Sequence, residues 1–420
     1  MNETKKEIKK GIQLHVLNTD KFKTNLVAVF LTTKLERETV TANALISAVL
    51  RRGSNTLKTQ EEISKQLEEL YGASFDCGID KTGDNQVLKF YIETVNDAFL
   101  PQSNENILKK SIENIFDIIF NPFIENNAFK KEYVDQEKNN MKQRIEGRID
   151  NKRRYALDRC IEEMYKGRPF GLYRFGYVED LNNINEVNLY ERYKQLTDQC
   201  KIDIFVSGNV NEEVESIITE NQNVKQLKER EPIYNHESEK NTVKQGEKIE
   251  IMDVMQGKLV VGLDVNSQNE DEKYNVMIYN TILGGSANSK IFQNVREKAN
   301  LAYEAGSRYF KYKDNIFVIC GIEISNYEKA LDLIKKQLED MKNGDFTEEE
   351  IENAKKAIIS SIKTIDDEQD TSITYYFGQE MSGNQKSVDE YIERIGKVTK
   401  EDVIQVAKRV EINTIYFLRN

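Results

Sequence analysis

The chain repeats itself once, and that constrains its fold more than any other feature. Residues 46–75 (ISAVLRRGSNTLKTQEEISKQLEELYGASF) align with residues 279–309 (YNTILGGSANSKIFQNVREKANLAYEAGSRY). Gly53 falls on Gly285, Ile63 on Val295 and Tyr71 on Tyr303, each 232 residues further on. After a two-residue slip, Asp84-Asn85 falls on Asp314-Asn315 and Ile92-Glu93 on Ile322-Glu323. A period so far above the ~20–50 residues of solenoid repeats identifies a duplicated domain. Both halves follow one order: strand, helix, glycine turn, helix, strand, strand, then further helices.

β-branched apolar runs predict strands at Leu26–Thr33, Val87–Glu93, Ile202–Ser207, Lys258–Asp264, Asn315–Glu323 and Asn413–Leu418. Helical periodicity covers Asn106–Phe120, Glu125–Gly147, Tyr327–Asn343 and Glu348–Asp366, and Thr347 with Glu350 forms a capping-box signal for the last. Helices gather late in each half, so the pattern favours α+β layers over a doubly wound sheet. At 420 residues, the chain is long enough for two such domains. The expected division is 1–220 and 248–420. Between them residues 221–247 are rich in charge and poor in large aliphatics, as an exposed linker would be.

Composition narrows the function. A net charge of -11 argues against a nucleic-acid partner, which would need a basic face. Cys77, Cys160, Cys200 and Cys320 are scattered without a CxxC, so neither a disulfide framework nor a thiolate metal site is expected. No apolar run follows the first lysines and none reaches ~20 residues, which predicts neither signal peptide nor membrane span and points to the cytoplasm. The chain has only two histidines. His236 lies in the charged linker and reads as solvated, and His15 in GIQLHVL reads as one position on a sheet face. There is no GxSxG, and no cysteine has a histidine near it in sequence, so an unrelated nucleophilic site has no support.

Residues 283–303 carry the strongest motif. Leu283-Gly284-Gly285-Ser286, Ile291–Lys298 (IFQNVREK) and Leu301-Ala302-Tyr303 resemble the LGGG-S, LFQELREK and GLAY elements of the pitrilysin/insulinase family of zinc metallopeptidases, which includes the mitochondrial processing peptidase. Asn300 stands where GLAY has glycine. Gly167–Gly171, Gly176–Leu181 and the strand Ile204–Val210 resemble further family segments in the same order, so the likeness spans nearly the whole chain. The family's zinc helix, HxxEH, is followed by a Lys/Arg-Gly-Thr/Ser turn that Arg52-Gly53-Ser54 matches. Counting back, the two histidines fall on Ala44 and Ala48, and the general-base glutamate on Ser47. The third ligand, a glutamate in a later helix, falls on Arg144. Alanine cannot ligate zinc and serine is no base near neutral pH.

The resemblance therefore implies two homologous domains, each a mostly antiparallel sheet packed with helices, together half of a peptidase clamshell. It implies no metal or cofactor in this chain, with zinc expected in a partner. In family members with divided labour, one chain carries HxxEH and the other an Arg/Tyr pair that holds the substrate backbone and the developing oxyanion. Arg296 and Tyr303 match that pair, whereas the first half has Ser64 at the equivalent of Arg296. By residue type alone, an arginine and a tyrosine seven apart read as surface and strand residues; the surrounding match raises their standing. The expected partners are a zinc-bearing paralogous subunit and peptide substrate; whether the chain forms a homodimer when alone is left open. A scaffold or binding protein of the same fold, without a proteolytic role, is the alternative.

Overall fold

Two runs in the first half are buried on both faces, Thr24–Lys34 (β3) and Lys201–Gly208 (β8), and so lie at the centre of a sheet covered on both sides. The computed structural model describes residues 2–100, 106–210, 212–235, 243–383 and 386–420. Around β3 and β8 stand β1 (Asn2–Lys9), β2 (Ile12–Asn18), β4 (Ser74–Thr82) and β5 (Asn85–Val95), in the order β1-β2-β8-β3-β5-β4. All neighbours are antiparallel except β2 and β8. A short hairpin, β6 (Ile124–Glu125) and β7 (Ala128–Phe129), stands apart.

The second sheet comprises β9 (Gly246–Ile251), β10 (Gly257–Asp264), β11 (Ala302–Phe310), β12 (Asn315–Ile322) and β13 (Glu411–Arg419). Its order, β11-β12-β10-β13-β9, is that of the first sheet read from β4 to β2, and again only the outer pair, β13 with β9, is parallel. Matching strand order and sense in both halves is what the duplication requires, and the fold is α+β. All six predicted strands form. So do the helices Ile107–Phe120, Tyr327–Lys342 and Glu348–Lys363, the last with its Thr347–Glu350 capping box.

One helix differs from expectation. The stretch predicted from Glu125 is helical only over Lys131–Glu146, because Asn126 and Asn127 both take left-handed backbone (φ 53° and 60°) and turn the β6–β7 hairpin. Two consecutive positive φ values are the signature of a tight hairpin turn, and asparagine tolerates them.

Two compact units emerge, one around each sheet, and each takes a segment from the other half of the chain. The first comprises residues 1–147, 172–237 and 365–385, and the second residues 148–171, 238–364 and 386–420. Helix Gln369–Ser382 thus covers the first sheet. Gln369 donates to the Ser207 carbonyl (3.0 Å), and Phe377 meets Phe30 edge-on with centroids 4.8 Å apart. Helix Lys152–Met164 covers the second, where Leu157, Ile161 and Met164 share a core with Val260, Phe317 and Tyr416. Part of the charged 221–247 stretch is tied to the first unit: Gln222–Gln226 is helical, and the buried Arg230 donates to the carbonyls of Lys228 and Thr197. His236 lies outside the described residues.

Candidate functional site

In the first unit, helix Val40–Leu50 packs against helix Lys131–Glu146 and β4. Ala44 is fully buried in the hydrophobic core, and Ala48 is half-buried against it. The Ser47 hydroxyl turns back along its own helix to donate to the Ala44 carbonyl (2.9 Å), a local bond that leaves it no outward role. The Cys77 thiol on β4 reaches the Ser47 carbonyl (3.4 Å), and burial pushes its pKa up to about 11. Arg144 is exposed, with its guanidinium 5.1 Å from the centre of the Phe175 ring.

Zinc does not fit these positions. Two alanines have no lone pair to offer and a guanidinium is a cation, whereas a zinc site takes Cys, His or carboxylate ligands. Among the described residues, no group of three or more His, Cys, Asp or Glu is placed to hold a metal. The turn after the helix is intact nonetheless. A Cβ on Gly53 would sit 2.4 Å from the Lys58 carbonyl oxygen, so only glycine fits there. Arg52 pairs with the buried Glu137.

The second unit carries Arg296 and Tyr303 on one helix–turn–strand connection. Thr281–Gly285 and Phe292–Lys298 are both π-helical, a rare geometry concentrated at functional sites. A side chain on Gly284 would strike the Ser307 backbone nitrogen (2.7 Å) and hydroxyl (2.6 Å), so glycine lets this turn lie directly on β11. Arg296 lies in the last turn of the second π-stretch with its side chain 42 % exposed, 3.5 Å from the Glu297 carboxylate and 4.7 Å from the centre of the Phe292 ring. The chain then turns through Asn300, whose left-handed φ of 51° explains why an asparagine serves in place of glycine. β11 opens with a bulge between Ala302 and Glu304 that turns Tyr303 out of register. Tyr303 is 58 % exposed, and its hydroxyl lies 3.4 Å from Glu323. The structure thus sets both side chains on the surface of one short connection, lightly held, and neither bonds the other.

Beside this connection lies a cleft of about 380 Å³ between helix Lys152–Met164 and the edge strand β11. Gly284, Gly306 and Ser307 border it, and Arg153, Arg154 and Arg308 ring it. Two of these arginines have carboxylates: Arg153 lies 3.4 Å from Glu304, and Arg154 lies 3.0 Å from Asp158. No ion pair of Arg308 occurs among the described residues; its guanidinium instead stands over Phe310 at 5.3 Å. Sequence reasoning did not find this cleft, because Arg153 and Arg308 lie far apart in the chain.

Sequence reasoning also missed a buried ionic cluster in the first unit. His15 is fully buried and stacks on Phe205 (4.2 Å), with Nδ1 2.6 Å from Glu3 and Nε2 3.1 Å from Asp203. Lys201 pairs with Asp203 and lies 3.2 Å from Glu380, which in turn accepts from Lys5 (2.6 Å). Burial disfavours the charged imidazole, but the bonds to Asp203 and Glu3 outweigh it and raise the His15 pKa. Burial likewise works against the Asp203 carboxylate, yet Lys201 and His15 hold its pKa below the ordinary value. The available signal was a Lys and an Asp two apart in the otherwise apolar strand KIDIFVSG.

A family model described as peptidase M16 inactive domain matches residues 183–358. The probable inactive metalloprotease YmfF of Bacillus subtilis is 34% identical over 417 residues, covering 97% of this chain and 96% of the relative. The chain belongs to the peptidase M16 family. Within M16 it is an inactive metalloprotease homologue. A crystal structure of a conserved protein from Enterococcus faecalis matches the M16 chain at TM-score 0.91 and 29% identity, over 100% of this chain and 99% of that one. The peptidase M16 inactive domain from Pseudomonas fluorescens shares the fold, with TM-score 0.81 at 15% identity over 100% and 98% of the two chains. Among the described residues, no helix is long and apolar enough to cross a membrane.

Proposed function

We propose that this chain is the non-catalytic subunit of a cytoplasmic two-chain zinc peptidase. It binds peptide substrate and lends Arg296 and Tyr303 to the zinc site of a paralogous partner. The observation that carries the reading is an asymmetry between the halves. Ala44, matched to a zinc ligand by sequence, is buried in apolar core, while Arg296 and Tyr303 are exposed on a connection built from two π-helical stretches, a left-handed Asn300 and a bulge. A surface arginine and tyrosine with no further role would not need so specialised a backbone. The guanidinium and the phenol are fixed donors, and hydrogen bonds to charged groups contribute about 1.5–3 kcal/mol each. Aimed at charge that develops as a carbonyl is attacked, such donors act on rate.

The cleft beside β11 supports the peptide-binding part. An edge strand offers unpaired backbone groups to an extended peptide, glycines let that peptide come close, and Arg153, Arg154 and Arg308 suit its carboxylates. The test is a turnover assay on the complex reconstituted with the zinc-bearing paralogue. Arg296→Ala and Tyr303→Phe should leave partner binding and thermal melting intact and lower turnover by roughly 10²–10³-fold. Unchanged turnover in both variants would sink the donated pair and favour a scaffold or binding role for the same fold.

A further inference from the structure

The two sheets differ at one edge. In the first, β2 is covered by β1, which runs antiparallel to it from Asn2 opposite Asn18 to Lys9 opposite Ile12. In the second, β9 is the counterpart of β2, parallel to β13 as β2 is to β8, and no strand among the described residues lies on its outer side. Residues 222–235, which precede it, belong to the first unit. Exposed edges are normally blunted by proline, bulges or inward charges. β9 has no proline and no bulge, and its one inward charge, Glu250, is held by partners within its own unit; its other face exposes Ile249 (45 %) and Ile251 (69 %), with Met255 (97 %) just past its end.

The side chains of β9 alternate. Glu250 accepts from Tyr155 (2.6 Å), Arg159 (2.9 Å) and Tyr416 (2.8 Å) on the face covered by helix Lys152–Met164. Lys248, two residues away, shares that face, and Ile249 and Ile251 point to the other. We infer that β9 pairs antiparallel with β9 of a second copy of this chain, across a two-fold axis through Ile249. A two-fold axis normal to the sheet keeps each face on its own side, so opposed residues must have the same parity. Centred on Ile249, it sets the two Ile249 side chains against each other and Lys248 opposite the partner copy's Glu250, twice. Centred on Lys248 it would oppose two lysines, and centred on Glu250 two glutamates, both unfavourable. Charge therefore selects one register, and the strand complements itself as a closed two-fold contact must.

The inference is independent of the donated Arg/Tyr pair. A six-residue strand pair is small beside the ~1,200–2,000 Å² of a stable interface, so association belongs at high chain concentration. Opposed Cα atoms in an antiparallel pair lie about 4.5–5.5 Å apart, within the span of a disulfide. Ile249→Cys should therefore give a covalent dimer on mild oxidation, seen on a non-reducing gel and reversed by thiol. Cys160, Cys200 and Cys320 are buried, and Cys77 is half-buried with its thiol on the Ser47 carbonyl and its pKa pushed up to about 11, so the unsubstituted chain under the same mild oxidation should run as a monomer. Light scattering of the unsubstituted chain should show mass rising toward a dimer with concentration, and Ile249→Lys should hold it monomeric. Failure of Ile249→Cys to cross-link, a dimer that survives Ile249→Lys, or a monomer mass at every concentration would each overturn the inference. Should Ile249→Lys not fold, the cross-link and the mass of the unsubstituted chain decide.

Discussion

Lys201→Met is the sharpest probe of how the first unit is held together. The Lys201 side chain is 6 % exposed and bridges two carboxylates, Asp203 on its own strand and Glu380 on helix Gln369–Ser382. Asp203 is fully buried, and its second oxygen has no hydrogen-bond partner in the structure. Methionine fills the same volume without the charge, so the variant strands Asp203 with His15 alone and leaves Glu380 to Lys5. Removing one member of a buried ion pair costs about 3–5 kcal/mol. At ~2–4 °C per kcal/mol for a unit of this size, the melting temperature of the first unit should fall by roughly 6–20 °C. Two units that unfold separately would blur a whole-chain melt, so amide exchange along β8 is the readout. Adding Asp203→Asn should recover part of the loss, because the stranded charge is gone, with a coupling of ~1–3 kcal/mol. A Lys201→Met chain within ~1 kcal/mol of the parent would refute this assignment of cost, which rests on an uncompensated buried charge.

The same cluster should make stability depend on pH. His15 has a raised pKa in the folded state, so its contribution is complete below about 6.5, the unfolded value, and is lost as pH rises through the folded value; β8 exchange should quicken over that rise, and His15→Phe should flatten it. Asp203 acts at the other end: its lowered pKa gives stability that is present above about 3.9 and lost as pH falls through the folded value. Gly284→Ala should destabilise the second unit by ~1–3 kcal/mol, because the added methyl meets the Ser307 backbone; a denaturant midpoint shift measures it. Elemental analysis of the dialysed chain should find zinc far below one per chain, and a stoichiometric ion would overturn the assignment of Ala44, Ser47 and Ala48.

The duplication was legible because it rests on local signals: glycines at turns, β-branched runs and the conserved spacing of Asp84-Asn85 and Asp314-Asn315. The central strands read clearly since β3, β8, β10 and β12 each carry a β-branched apolar run. Edge strands did not. β1 (NETKKEIK) and β9 (GEKIEI) are largely charged, and their partners are set by sheet pairing and not by any pattern of their own. Counting back from Gly53 placed Ala44, Ser47 and Ala48 on one helix, but it could not say that the Ser47 hydroxyl bonds its own helix. His15 shows the limit most plainly. Alternation put it on a sheet face, while its partner Asp203 stands 188 positions away and is brought beside it only by the parallel register that sets His15 against Phe205.

The exchange of helices between the halves bears on how this chain is made. The first unit has its sheet complete at Gly208, yet the helix that covers Phe30 and Phe205 is Gln369–Ser382. At ~5–20 residues per second, a ribosome needs roughly 6–26 s to go from the end of the 172–237 segment to residue 365. For that interval the nascent first unit presents an uncovered apolar sheet face, with the Lys201–Asp203 pair lacking Glu380. A gene cut near residue 230 would make the interval permanent: neither product could close its own core, and each would stay soluble only in the company of the other.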